Sequence, residues 1–464
     1  MRRMSAEWVA RAAGGRVLRP GPDALGAEVD TRRPLEGRLF AALSGARRDG
    51  HEFLGEAASK GAAGLLAAEE KVEGLSLPEG PFVVAVEDPR EALARLAAAW
   101  RGLFSLPAAA VTGSFGKSTT KEILAALLGG RERGITVSPA SFNNDIGVPL
   151  TLLSLREESP ALVAEVGSNA PGEVAFLAEL VRPAVGIVTG VGPVHLEGLG
   201  SEEGVAREKA SLLESLPPGG TAVLDKESPW FEFLARKAPC RVFSVALEDP
   251  GADLAAEGIQ VGPVSLEIRV QGNTFSLPLP GRHNAKNLLL ALGAFLAMGG
   301  DLGDGARNLA GFSPVPGRLT VRSLPSGIRI LDDSYNSNLP AARAALEVLA
   351  STPCSGRRIA VLGEMLESGP RTEDLHRELG RAAAGVDFLV LVGGPAMEAA
   401  RRGALKAGME EARIRLAPDA SKAGKILAGL AKRGDLVLLK GSRAVRTEEA
   451  LRPLLEGEED SRAL

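Results

Sequence analysis

Hydrophobic positions along the chain fall into two alternating rhythms. Continuous apolar runs at 39–43, 63–67, 82–86, 108–111, 162–166, 185–189 and 221–224 predict buried strands. Between them, apolar residues return at helical spacing over 8–13, 53–60, 91–103, 121–128, 173–181 and 201–216. Strand followed by helix in this way predicts a largely parallel sheet. From 251 to 280 the pattern changes to short alternating segments such as 264–270, which predict an antiparallel edge. A helix then runs through Met298. Past the glycine- and proline-bearing stretch 311–318 a regular series resumes, with strands at 328–331, 359–362, 388–392 and 436–439 and helices at 341–349, 373–384, 396–405, 421–431 and 447–455. That series predicts a Rossmann-like doubly wound unit. The fold class is therefore α/β in three domains. A small α/β domain is expected over 1–86, a central P-loop ATPase-like domain with a mainly parallel sheet over 87–312, and a Rossmann-like domain over 313–464.

Composition narrows this picture without redirecting it. A chain of 464 residues exceeds what one hydrophobic core usually serves. With 45% hydrophobic and 24% charged residues it is a globular class, and no apolar run approaches the ~20 residues of a membrane span. The basic start Met1-Arg2-Arg3-Met4 leads into an amphipathic pattern and not a signal peptide, so the cytoplasm is the expected compartment. Two distant cysteines, Cys240 and Cys354, suit a reducing environment. A net charge of −4 and 4% aromatic residues leave neither a basic footprint nor a stacking platform for nucleic acid. A monomer is expected.

Candidate chemistry begins at Gly113-Ser114-Phe115-Gly116-Lys117-Ser118-Thr119. It stands between an apolar strand and a helical pattern, where glycines and a helix N-terminus converge N–H groups on an anion and the lysine adds a full charge. Val111 occupies the place of the first glycine of a full Walker motif, leaving the shorter G-x-x-G-K-S form. Glu165 ends one predicted strand and His195 follows another, where ligands sit in parallel sheets. Lys209 falls in the middle of the apolar face formed by Val205, Leu212, Leu213 and Leu216. A lysine there snorkels, pairs, or, if burial keeps the amine neutral, can add CO₂. Two polar knots, Asp30-Thr31-Arg32 and Arg47-Arg48-Asp49-Gly50-His51, flank the 39–43 strand. They suit a phosphate or are simply solvated loop charge. Asp332-Asp333-Ser334-Tyr335-Asn336 and Lys440-Gly441-Ser442-Arg443 end two strands of the last domain.

Together these stretches resemble the Mur ligases of peptidoglycan synthesis. The shortened phosphate loop is that family's form, and further blocks recur in order: DTR, DGHEF, SFNNDIGVPLTLL, EVGSNAPGEV, HLEGLGSEEGVA, GRHNAKN, DDSYNSN, VLGEML and LLKGSRAVR. The DDSYN, VLGEML and KGSR blocks are similar to those of the branch that joins D-alanyl-D-alanine to a UDP-N-acetylmuramoyl-tripeptide. The resemblance implies an ATP-dependent ligase forming a C–N bond through an acyl phosphate, with ATP and two Mg²⁺ ions as cofactors and with UDP-N-acetylmuramoyl-pentapeptide, ADP and phosphate as products. It implies that Gly113, Ser114, Phe115, Gly116, Lys117, Ser118 and Thr119 hold ATP. Ser118 and Glu165 would ligate one Mg²⁺, and His195 with a carbamylated Lys209 a second; Lys117, Glu165, His195 and Lys209 form the implied catalytic set. Asn287, Arg318 and Asp333 would reach the nucleotide across the domain gap. Asp30, Thr31, Arg32, Asn143 and Asn144 would address the UDP-sugar, and Tyr335, Asn336 and Asn338 a substrate in the third domain. The chain departs from the family pattern in three places. Asn336-Ser337-Asn338-Leu339 stands for the usual Asn-Ala-Asn-Pro, Glu364 for an aspartate and Ser118 for a threonine. A sibling ligase adding the third peptide residue, a folylpolyglutamate synthase and, further off, a P-loop switch are the alternatives.

Overall fold

The computed structural model describes residues 2–45, 48–73 and 78–456, leaving Arg47 of the second polar knot and the acidic tail after Glu456 outside the described residues. Four sheets organise what is described. The first orders its strands Arg16–Arg19, Phe82–Val86, Gly64–Ala68, Leu39–Ala41, Ala27–Glu28; only Arg16–Arg19 runs antiparallel to its neighbour. Helix Pro89–Arg101 leaves this sheet, started by Asp88, whose carboxylate accepts the Arg90 and Glu91 N–H groups, and by a proline in its first turn. It carries Trp100, 1% exposed, whose indole N–H donates to Leu155 O at 3.2 Å and whose ring meets Trp8 and Phe104 edge-on. One continuous core joins Leu39, Leu66, Phe82 and Val84 of the first sheet to Ala108 and Leu162 of the next, and to Leu177 on helix Glu173–Val181, through this helix.

The second sheet is all parallel, in the order Leu254–Ala255, Arg241–Ala246, Thr221–Asp225, Val185–Val188, Ala108–Thr112, Leu162–Glu165, Thr136–Val137. Strand Ala108–Thr112 shows why its sequence is apolar throughout. Ala108 and Ala110 pack into one core while Ala109 and Val111 pack into the other, against helices Lys117–Leu127 and Arg282–Ala297. The chain leaves this strand toward the Thr136–Val137 edge and later crosses to its other side at Val185–Val188, so the strand's carboxyl end is the topological switch point. The antiparallel segments at 258–277 form a three-stranded sheet of their own, Gly258–Val261, Leu266–Val270, Asn273–Leu277, and not an edge of the parallel one.

The last sheet is ordered Thr320–Ser323, Arg329–Asp333, Leu436–Lys440, Arg358–Gly363, Phe388–Val392, Ile414–Ala417, parallel except for Thr320–Ser323. Its strands again alternate between two cores: Leu331, Leu362, Leu391 and Leu438 face one side, Ile330, Val361, Val390 and Leu439 the other. Val194, Leu196, Leu199 and Val205 from the middle of the chain belong to the first of these cores, an apolar seam between the second and last sheets. The helix expected at 447–455 begins as a 3-10 turn, Thr447–Leu451.

Trp100→Ala removes the largest side chain of the core shared by the first two sheets. The expected cost is about 3–5 kcal/mol, read as a lowered midpoint in urea unfolding.

Candidate active site

The switch point carries the phosphate loop. Gly113 has φ 144° and Gly116 φ 77°. A Cβ on Gly113 would meet Thr189 Oγ1 at 2.2 Å, and one on Gly116 would meet Asn287 Oδ1 at 2.4 Å. Both positions therefore need glycine for backbone conformation and for space. The loop is laced to the segment after strand Val185–Val188. Ser114 N donates to Gly190 O at 2.8 Å, Ser114 Oγ to Gly192 O at 3.1 Å, and Thr189 Oγ1 to Phe115 O. Asn287, which the resemblance placed across a domain gap, lies on helix Arg282–Ala297 of the same unit, its amide anchored on Asn284 Oδ1 at 3.1 Å. Thr119 follows Ser118 in the first turn of the loop helix.

Four charged groups converge beside this loop. Half-buried Lys117 folds back to donate to Gly113 O at 2.7 Å; burial pushes its ammonium down from the usual lysine range, Glu165 opposing and Arg318 adding. Glu165, 1% exposed, accepts from Asn143 Nδ2 at 2.8 Å through Oε1, while its Oε2 is buried without a hydrogen-bond partner. Lys121 Nζ stands 3.6 Å from that oxygen. Lys209, 1% exposed on helix Glu202–Glu214, donates to Ser168 Oγ at 2.7 Å. Its amine is pushed down to about 7, first by burial and then by Lys117. An unpartnered carboxylate oxygen in a buried, cation-lined site fits a divalent metal and a polyphosphate better than it fits either alone.

The last sheet reaches into the same place. Arg318 Nη2 donates to Ser118 Oγ at 3.1 Å and its guanidinium stacks on Tyr335, 4.2 Å from the ring centre. Tyr335 Oη donates to Ser141 Oγ at 2.6 Å, and Asn338 Nδ2 to Ser114 O at 3.2 Å while its Oδ1 caps helix Leu339–Ser351. Asp333 does not stand free for a nucleotide. Its Oδ2 pairs with buried Lys440 at 2.5 Å and its Oδ1 accepts Leu319 N at 3.1 Å. Lys440 also donates to Asn336 O at 3.0 Å, which fixes the Asn336–Asn338 turn. Burial beside Lys440 pushes His283 down to about 4, with Asp333 opposing. His195, at φ 51°, bonds Glu367 through Nδ1, so among the described residues it and Lys209 share no partner. That contact holds the Glu367 carboxyl below its usual range.

Two clefts open beside this centre. One, of about 390 Å³, lies between Ser114, Lys117 and His195 on one wall and Asn336, Met365 and Arg443 on the other. The second, of about 210 Å³, is lined by Asn143, Asn144, Ser168 and Phe176. The first therefore shares Lys117 with the phosphate loop, and the second shares Asn143 and Ser168 with Glu165 and Lys209. The N-terminal knots are more structural. Thr31 is buried and its carbonyl accepts Lys60 Nζ at 2.8 Å; Arg32 pairs with Asp30, whose carboxyl is held at about 2 mainly by that hydrogen bond. His51 bonds Asp49 and accepts Ala68 N at 2.9 Å. Asn144 Oδ1 accepts Gly147 N at 2.9 Å, at the start of helix Gly147–Leu153. Lys121, Ser168 and Glu367 were not singled out as site residues, because what marks each of them is a partner supplied by a distant segment of the chain.

The Mur ligase middle domain matches residues 111–295 and the Mur ligase, glutamate ligase domain matches 317–443. The chain is 35% identical over 437 residues to a UDP-N-acetylmuramoyl-tripeptide--D-alanyl-D-alanine ligase of Escherichia coli, covering 92% of this chain and 93% of that one. It is 31% identical to the Bacillus subtilis enzyme of the same description, covering 93% of each. Among solved structures, MurF from Acinetobacter baumannii superposes with a TM-score of 0.86 at 28% identity over 98% of this chain and 99% of that one. The MurF ligase of Thermotoga maritima in complex with ADP does so with 0.76 at 29%, over 94% and 98%.

Lys209 supplies a test of the buried centre that needs no substrate. With its pKa lowered from 10.5 to about 7, the folded chain holds the amine neutral between those values while the unfolded chain binds a proton. This group therefore adds stability as pH rises through that window and withdraws it as pH falls toward 7. Calorimetric unfolding of wild type and Lys209→Met at several pH values should show the wild-type midpoint gaining more than the variant's between about pH 7 and 10.

Proposed function

The chain belongs to the Mur ligase family, and from that premise we propose that its two clefts deliver a carboxylate and an amine to one phosphate loop. It is an ATP-dependent ligase forming C–N bonds, joining D-alanyl-D-alanine to a UDP-N-acetylmuramoyl-tripeptide. The observation that carries the arrangement is the shared wall residues: Lys117 belongs to the loop and the larger cleft, and Asn143 and Ser168 tie the smaller cleft to Glu165 and Lys209.

On this reading the acceptor enters the smaller cleft, its UDP end toward Asp30, Thr31 and Arg32 and its terminal carboxylate toward Lys209 and Glu165. Asn143 and Asn144 line its path. ATP lies on residues 113–119 with Asn287 behind Gly116 and Arg318 above Ser118. Carboxylate oxygen attacks the γ-phosphorus, ADP leaves, and an acyl phosphate remains. The dipeptide amine, held as the free base in the larger cleft beside Asn336 and Asn338, with Tyr335 stacked on Arg318, attacks the acyl carbon; the C–O bond to phosphate breaks and the nitrogen gives up one proton to the departing phosphate. Lys117 offsets repulsion between the carboxylate and the phosphates. Bound Mg²⁺ supplies further positive charge at those phosphates. Ser118 and Glu165 would hold one ion, and the unpartnered Glu165 oxygen favours this. A second on His195 and a carbamylated Lys209 requires His195 to leave Glu367; a lysine amine pushed down to about 7 is suited to adding CO₂. Asp333 supports nucleotide binding through Lys440 and Leu319 N. Lys117, Glu165, His195 and Lys209 remain the proposed catalytic set. A UDP-N-acetylmuramoyl-L-alanyl-D-glutamate--2,6-diaminopimelate ligase and the Escherichia coli FolC are similar in fold, with TM-scores of 0.52 at 18% and 0.57 at 19% identity.

Phosphate release should require ATP, a UDP-N-acetylmuramoyl-tripeptide and D-alanyl-D-alanine together; release with glutamate or a free diamino acid as the sole amine would overturn the reading. Lys117→Ala should lower turnover about a thousandfold. Lys209→Ala should lose activity that short carboxylic acids partly restore, and full activity without them would remove Lys209 from the metal site.

A further inference from the structure

Lys121 lies one helical turn beyond Lys117 and is fully buried, yet the reaction as derived does not use it. Its ammonium donates to Ser138 O at 2.8 Å and to Ala140 O at 2.6 Å, and pairs with two carboxylates, Glu122 Oε1 at 3.0 Å and Glu165 Oε2 at 3.6 Å. The first two are main-chain oxygens of the loop leading to Asn143 and Asn144. That loop has no regular ladder over 139–143, and Ala140 sits at φ 45°, a conformation that non-glycine residues adopt at a cost. Other attachments converge on it. Ser138 Oγ accepts Glu165 N at 3.0 Å, Tyr335 reaches Ser141 from the last sheet, and the Arg33 guanidinium stacks 4.7 Å from the Phe142 ring centre from the first unit. Asn143 holds Glu165.

We propose that Lys121 is a positioning residue, which ties the nucleotide-loop helix to the 138–144 loop and so sets Asn143 and Asn144 for the acceptor cleft. The proposal rests on the reading of that cleft as the acceptor site. An uncharged, donor-free side chain would leave the buried Ser138 carbonyl and the Ala140 carbonyl without their ammonium and free the loop from the helix, while residues 113–119 keep their own hydrogen bonds to 190 and 192. The effect is thus directed at one substrate and not the other.

The test compares wild type, Lys121→Met and Lys121→Gln, the last keeping neutral donors of shorter reach. Dissociation constants for the UDP-N-acetylmuramoyl-tripeptide and for ADP are measured separately by calorimetry, with hydrogen exchange followed over 138–144. In Lys121→Met the acceptor should weaken about tenfold, the loss of roughly one well-made hydrogen bond, with ADP changed by less than about threefold. Exchange should quicken over 138–144, and Lys121→Gln should recover part of both effects. Equal weakening of both ligands, or a lowered melting point with both constants unchanged, would overturn the proposal. Should Lys121→Met not fold, Lys121→Gln decides by the same split. Acceptor that fails to protect 138–144 in the wild type would instead overturn the reading of the cleft.

Discussion

Positive charge held out of water beside the buried Glu165 carboxylate is the constraint on which the rest of this structure depends. Lys121 stands 3.6 Å from Glu165, Lys117 feels its charge, and Lys209 in turn feels the charge of Lys117; desolvating ammonium groups is costly unless each finds acceptors. The chain answers each one differently. Lys117 lies on the loop's own first carbonyl, Lys121 has two main-chain oxygens and a glutamate, and Lys209 has one hydroxyl and responds by shedding its proton near neutrality. This centre is poised for anions: a polyphosphate and a substrate carboxylate supply the negative charge that the protein withholds. The glycines of the loop, the switch point that exposes it and the two clefts that open on it are arranged around that deficit.

The same atoms join the units of the molecule. Arg318 meets Ser118, Asn338 meets Ser114, Tyr335 meets Ser141, and Arg33 covers Phe142. An apolar seam from Val194 to Val205 supports the first three, so polar contacts at the site need not carry the docking alone. Substrate binding and the packing of the last sheet are therefore contested by one set of side chains, and a ligand that engages Ser118 must renegotiate the Arg318 contact.

How much of this was legible in the sequence depended on burial. Strands covered on both faces, such as 82–86 and 388–392, are continuous apolar runs and are read at their true limits. Arg16–Arg19, Ala27–Glu28, Thr136–Val137, Leu254–Ala255, Thr320–Ser323 and Ile414–Ala417 are short edge strands with little or no apolar run, and periodicity does not reveal them. Arg241–Ala246, which starts with an exposed arginine, also went unseen. Within the site, the phosphate loop is legible because glycine spacing is local chemistry. Thr31 and His51 look like ligand residues from their neighbours in sequence, and the structure engages them with Lys60 and Ala68. Lys121 shows the reverse: its partners come from another strand's end, so nothing in its helix distinguishes it from a solvated lysine.

The larger cleft is two-sided, with Ser114 and Lys117 contributed by the unit that carries the phosphate loop and Asn336, Met365 and Arg443 by loops at strand ends of the last sheet. With the amine in that cleft, as proposed above, the activating chemistry and the choice of amine would be encoded in separate stretches of the gene. Loops on the last sheet can be exchanged or drift while residues 113–119 stay as they are, so a lineage can acquire a new amine partner without rebuilding the machinery that spends ATP.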